Sequence, residues 1–253
     1  MKSIFLVSAA HCLIAATLMG QDVDGPQIIQ KVNDLMNLET IYSKSTMTIL
    51  TSSGTPRTFE YESWSKDFGE KNVIKYISPS RVRGQATLML NHADDIWVYF
   101  PRTQRVRKLA THAKKQKMEG SDFSYEDMGS GNAFIEEFTA KRLEDEKKEG
   151  VDCYKLELTR KPDSDLSYSR MIMWVHKENY VPLHIDYYDE NDPGYHLKTL
   201  IQSDIEMVDG IPTAKLITMY NQTDNTQTSM TMKEVKYNIP LEDEMFTERG
   251  MKK

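Results

Sequence analysis

The sequence predicts a mainly β protein, with one long antiparallel sheet that curls into a barrel or half-barrel. An N-terminal helix and a helical or loop lid would cap it. Three observations carry this. After one amphipathic helix the hydrophobic period changes to two. The alternating runs are joined by tight turns and not by helices, which excludes βαβ units. A twisted open sheet of about ten or eleven strands tends to close on itself. A partly closed barrel capped by helices encloses an apolar space.

At the start of the chain, Lys2 and the apolar run 4–19 read as the charged and apolar regions of a secretory signal peptide, followed by Gly20 and polar Gln21-Asp22. The run falls short of the roughly 20 apolar residues of a membrane span, and an uncleaved anchor is the alternative. Cys12 follows His11 inside the run, where a lipidated cysteine would need a small residue before it. The chain therefore divides into a signal peptide, 1–20, and a single domain, 21–253. Removing the first segment leaves Cys153 without a partner, so a hydrophobic core has to hold the exported domain together without a disulfide.

Residues 25–38 place Ile28, Ile29, Val32, Leu35 and Met36 on one helical face, with Pro26 in the first turn. Strands follow at 42–51, 57–66, 71–77, 84–91, 96–100 and 104–109, separated by turn residues such as Ser52-Ser53-Gly54 and Ser78-Pro79. Residues 110–135 break the alternation, carry Gly120, Gly129 and Gly131, and read as a loop with short helical pieces, a functional or mobile segment. Strands resume at 138–148, 152–160, 168–176, 182–189, 195–207, 211–221 and 226–237.

Composition limits the function classes. The 253 residues carry a formal net charge of −6, which argues against bulk nucleic-acid binding. No HExxH, phosphate-loop or EF-hand pattern occurs, and no catalytic set can be assembled by spacing. His184 and His196 on neighbouring strands are a remote metal candidate, with hydrogen-bonded histidine as the plainer reading. Cys153 reads as a buried inert thiol. Asn221-Gln222-Thr223 is a glycosylation sequon. No enzyme activity, metal or cofactor is expected.

The strongest local asymmetry is electrostatic. Residues 101–117 carry Arg102, Arg105, Arg107, Lys108, Lys114, Lys115 and Lys117 with no acid, and 118–128 carry Glu119, Asp122, Glu126 and Asp127 with no base. One reading is a basic rim for anionic headgroups or an acidic partner, beside an acidic lid that docks onto it. The other is solvated charge on an exposed hairpin.

Tyr99-Phe100-Pro101-Arg102-Thr103, Arg105-Val106-Arg107-Lys108, the block Gly120-Ser121-Asp122-Phe123-Ser124-Tyr125-Glu126-Asp127, and 174–183 (WVHKENYVPL) together resemble the outer-membrane lipoprotein-sorting-like family. That family belongs to the superfamily of the periplasmic lipoprotein carrier LolA. His176 departs from the pattern, where an acid is expected. The resemblance covers essentially the whole mature chain. It implies a half-open antiparallel barrel with helices over its mouth, exported to the periplasm. It also implies a non-enzymatic carrier of lipid or lipoprotein acyl chains, working with an inner-membrane exporter or an outer-membrane acceptor. A sensor or adaptor that binds a membrane-protein partner is the alternative. The protein is expected to be a monomer that binds no nucleic acid.

The expected cavity residues are Trp64, Met89, Trp97, Met171, Met173, Trp174, Met230 and Met232, with ordinary core packing as the competing reading. Thirteen of the 15 Met remain after signal removal, and thioethers suit a wall that accepts variable chains. The rim would comprise Arg102, Arg105, Arg107, Lys108, Lys114 and Lys115. The lid would comprise Gly120, Ser121, Asp122, Phe123, Tyr125 and Asp127.

Overall fold

The computed structural model describes residues 23–129 and 131–253. The expected signal peptide and Cys12 lie outside the described residues.

Helix α1 (Gly25–Met36) begins where the sequence supplies a capping box. The Asp24 carboxylate accepts the Gln27 N–H at 2.9 Å, and the Gln27 side chain accepts the Asp24 N–H at 3.1 Å. Its apolar face buries Ile28, Ile29 and Val32 in the main core. Gly25 is required by contact, because a Cβ there would stand 2.8 Å from the Ala140 carbonyl oxygen and the Arg142 nitrogen.

The strands are β1 (Thr40–Leu50), β2 (Pro56–Lys66), β3 (Lys71–Ser78), β4 (Ala86–Leu90), β5 (Asp95–Phe100) and β6 (Arg105–Lys108). After the irregular segment come β7 (Phe138–Arg142), β8 (Glu146–Lys148), β9 (Val151–Arg160), β10 (Tyr168–His176), β11 (Pro182–Asp189), β12 (His196–Val208), β13 (Ile211–Asn221) and β14 (Thr226–Tyr237). They form one sheet in the order β6-β5-β4-β3-β2-β1-β14-β13-β12-β11-β10-β9-β7, with β8 pairing with β9. Every neighbouring pair is antiparallel. The two edges, β6 and β7, do not meet, so the sheet is a half-open barrel.

Fourteen strands stand where ten or eleven were expected. One cause is local: the run 138–148 divides into β7 and β8. Asp145, between the two, takes a forked Arg142 contact at 3.1 and 2.8 Å and a Lys177 contact at 2.7 Å.

The concave face holds the main core, with Met47, Phe59, Ile74, Met89, Leu156, Met173 and Val175 behind α1. The convex face is apolar too. Phe246 and Met251 from the C-terminal 3₁₀ turns cover Val73, Ala86 and Leu88, and Cys153 packs there with Ile172 and Trp174. Burial also pushes the Cys153 thiol up, which keeps it protonated and inert. Among the described residues no helix is long and apolar enough to cross a membrane.

Candidate functional site: a forked cavity beneath residues 118–136

Residues 118–136 cross the concave face as a 3₁₀ turn (Met118–Gly120) and two short helices, α2 (Tyr125–Gly129) and α3 (Ala133–Glu136). Ser124 and Asp127 cap α2 reciprocally. The Asp127 carboxylate accepts the Ser124 N–H at 2.7 Å, and the Ser124 hydroxyl accepts the Asp127 N–H at 3.0 Å.

Three acids of this segment tie it to the sheet and to neighbouring chain. Asp122 is 1% exposed. Its carboxylate accepts the Thr226 and Thr228 hydroxyls of β14, the latter at 2.7 Å, and its N–H donates to Thr228 Oγ1 at 2.9 Å. Glu126 accepts the Ser167 N–H at 3.0 Å and the Ser167 hydroxyl at 3.2 Å. Burial pushes its carboxyl up to about 7, and the neighbouring Asp127 adds to this. Asp127 accepts the Tyr168 hydroxyl at 2.7 Å and lies 3.3 Å from the ammonium of buried Lys198. Ser121 is fully buried and closes a turn onto Phe123. Tyr125 is buried as well, and burial pushes its hydroxyl up to about 12. Gly120 adopts a left-handed φ of 72° and offers its carbonyl to Arg57 at 3.1 Å.

Under this segment lies a cavity with two lobes. The first, of about 280 Å³, runs among Phe134, Phe138, Leu166, Tyr168, Met171, Ile185 and Tyr187. The second, of about 300 Å³, runs among Tyr61, Ala214, Ile217, Met230, Met232, Val235 and Tyr237. Both lobes are also lined by Met36, Ile41, Ser63, Phe123, Asp127, Met128, Leu200 and Gln202, so they meet beneath this segment. Met36, the last residue of α1, is 37% exposed and marks the mouth. A groove of about 650 Å³ on the convex face is larger, but Glu62, Lys75, Arg83, Glu242, Glu244 and Lys253 border it. Among the described residues only two charged ones, Glu126 and Asp127, border the forked cavity, which favours it as the place for an apolar ligand.

The cavity residues expected from sequence separate into three groups. Met171 lines the first lobe, and Met230 and Met232 line the second. Met89 and Met173 are fully buried in the core but line neither lobe. Trp97 and Trp174 belong to the convex face, a correction that follows from strand parity, since Ile96 and Met173 beside them point inward. Trp64 borders the first lobe while packing against the convex cluster.

The rim divides as well. Arg105, Arg107 and Lys108 lie on edge strand β6, and these residues and Arg102 are exposed. Lys108 pairs with Asp95 at 2.5 Å and sits 4.9 Å above the Trp97 ring. Lys114 is buried between Asp94 and Asp165, both at 2.7 Å, and Lys115 holds Glu190 at 2.5 Å, so these two are structural ties. The acidic segment does not dock on the basic one. Its acids bond to hydroxyls, backbone N–H groups, the Gln85 amide and Lys198, and Lys117 to Asp122 at 3.3 Å is the one ion pair between the two segments among the described residues.

Ser63, Tyr168, Lys198 and Gln202 were not singled out from sequence. Lys198, a cation in the apolar stretch 197–201, and the Ser124-x-x-Asp127 capping spacing were the signals available. His184 and His196 both bond Asp186, at 2.9 and 3.2 Å. Among the described residues no cluster of His, Cys, Asp or Glu could hold a metal. Asn221 is buried and caps its turn through the Asp224 N–H at 2.9 Å, so the sequon is closed off.

A family model described as "-like: Uncharacterized protein" matches residues 69–253. An outer membrane lipoprotein-sorting protein domain from Vibrio parahaemolyticus is 26% identical, covers 90% of this chain and 98% of its own, and superposes with a TM-score of 0.81. A DUF1329 family protein from Desulfovibrio piger is 28% identical, with coverages of 90% and 97% and a TM-score of 0.82. A LolA superfamily protein from Nitrosomonas europaea shares the fold at 22% identity, coverages of 90% and 99%, and a TM-score of 0.75. No curated protein matches.

Proposed function

The chain belongs to the family matched over residues 69–253, with the fold of the outer membrane lipoprotein-sorting and LolA superfamily proteins, and from that premise we propose that it is a periplasmic, non-enzymatic carrier of lipid or lipoprotein acyl chains. The observation that carries this reading is the forked cavity, walled by Met171, Ile185, Ile217 and Met230 and shut by a lid held through buried hydrogen bonds. A methylene occupies roughly the volume of a liquid water, about 30 Å³, so each lobe takes about nine. At about 0.8 kcal/mol per methylene, one chain gains on the order of 7 kcal/mol before ordering costs. No polar contact is needed for appreciable binding.

Export would follow from segment 1–20. The exposed Arg102, Arg105 and Arg107 on and beside β6 would meet an acidic surface on an inner-membrane exporter, an outer-membrane acceptor or the headgroup layer itself. As on any edge strand, these charges also block sheet-to-sheet aggregation.

The test is direct. Mature protein purified from the periplasm is extracted for mass spectrometry, and binding of a fluorescent fatty acid is titrated. The reading expects co-purifying lipid and saturable, displaceable probe binding. Absence of both would overturn it.

A further inference from the structure

We propose that the cavity selects a two-chained lipid whose branch point is uncharged and carries a hydroxyl or amide, as in a diacylglycerol or ceramide, with one chain in each lobe. This rests on the carrier reading and narrows its cargo.

The first argument is shape. The lobes are nearly equal, about 280 and 300 Å³, and join along a shared wall. A single chain would fill one lobe and leave the other either hydrated against apolar walls or empty, and both are unfavourable. Two chains joined at one atom match the fork.

The second argument is where the polar atoms lie. Away from the junction, the first lobe is mostly aromatic and aliphatic. At the junction stand Ser63, Asp127 and Gln202. Gln202 lies on β12 opposite Ile217 of β13, is half-buried, and makes no side-chain hydrogen bond to any other described residue. Its amide carries two donors and an acceptor that no described side chain takes up, and they are available to a ligand in the cavity. The Ser63 hydroxyl lies 2.7 Å from Ser43 Oγ, which lies 3.4 Å from Ser45 Oγ. Rotatable hydroxyls in series can turn either a donor or an acceptor toward a branch-point group.

The third argument is charge. The Asp127 carboxylate sits at the same junction and Glu126 lines the first lobe beside it, with Lys198 3.3 Å from Asp127 as the balancing cation. Tyr168 also bonds Asp127, and Ser124 caps it. Lys198 is already paired with Asp127, and among the described residues no Lys or Arg lines either lobe, so a carboxylate or phosphate placed here would find no free cation and the junction favours a neutral branch point.

The experiment is displacement of the fluorescent fatty acid by four short-chain lipids: dioctanoylglycerol, monooctanoylglycerol, octanoate and dioctanoyl phosphatidic acid. Wild-type protein is expected to bind dioctanoylglycerol at least about tenfold more tightly than each of the others. Gln202→Leu should reduce that preference about fivefold or more, read as the ratio of dioctanoylglycerol to monooctanoylglycerol affinity within the variant. Ala214→Phe, which fills the second lobe, should abolish dioctanoylglycerol binding and spare monooctanoylglycerol. If Ala214→Phe fails to fold, the Gln202→Leu comparison decides alone. Equal affinity for one- and two-chained lipids, preference for the phosphatidic acid, or an unaltered preference in Gln202→Leu would overturn the inference and leave the carrier reading standing. Failure of every lipid to bind would overturn both.

Discussion

Replacing Glu126 with glutamine should abolish a pH-dependent loss of stability. Glu126 is 2% exposed, and burial raises its carboxyl from 4.5 to about 7. Between those values the folded protein keeps a proton that the unfolded chain has released, so stability falls as pH rises through the window. Below about pH 4.5 both states are protonated and nothing is lost. Above about pH 7 both are ionised and the full cost is present. The gap between 4.5 and about 7, at about 1.4 kcal/mol per pH unit, makes that cost roughly 3 kcal/mol. The glutamine side chain would keep the geometry, with its carbonyl accepting the Ser167 N–H and its amide donating to the Ser167 hydroxyl. Asp145, Asp165 and Asp186 are held below their ordinary range, so their ionisation falls at lower pH, outside the window. Urea unfolding at pH 5 and pH 8 is the assay. Glu126→Gln should come within about 1 kcal/mol of wild type at pH 5 and exceed it by roughly 3 kcal/mol at pH 8. Parallel pH profiles for the two proteins would refute the assignment.

Three further predictions concern the latch, the helix seat and the edge. Asp122→Ala strips buried partners from Thr226 and Thr228 and should cost about 3 kcal/mol in urea unfolding, with new proteolytic cleavage within 118–128. Gly25→Ala drives a Cβ to 2.8 Å from the β7 backbone and should cost about 1–3 kcal/mol, seen as a lower Tm. Reversing Arg105, Arg107 and Lys108 to Glu should change stability by no more than about 1 kcal/mol, because these groups are exposed. The same change should weaken association with anionic vesicles at low salt, and undiminished association would show that the edge charges are merely solvated.

The helix and most strands were legible because each rests on local chemistry: Asp24 and Gln27 cap α1, and alternation marks β1 to β3 and β9 to β14 within a residue or two. The face of the sheet was not legible. Both faces of this sheet are apolar, so the alternation that marks Trp97 and Trp174 as buried cannot tell concave from convex. The partners of the acids in 118–128 were not legible for a different reason. Asp122 meets Thr226 and Thr228 across more than 100 residues of chain, and a run of acids that looks solvated in sequence becomes an internal latch only after β14 is in place. Lys114 was counted with the rim because its neighbours are basic, but its charge is spent on Asp94 and Asp165. Gln202 lies in an ordinary polar-apolar alternation, and only the fork of the cavity gives it a role.

The central claim is that acyl chains travel inside this cavity. Transfer of a labelled two-chained lipid from donor to acceptor vesicles, with catalytic amounts of protein, tests it most directly. Wild type should accelerate transfer with saturation in protein concentration, and a variant with the second lobe filled, Ala214→Phe or Ile217→Trp, should lose that acceleration while still folding. Transfer no faster than without protein, or equally fast with the filled cavity, would contradict it.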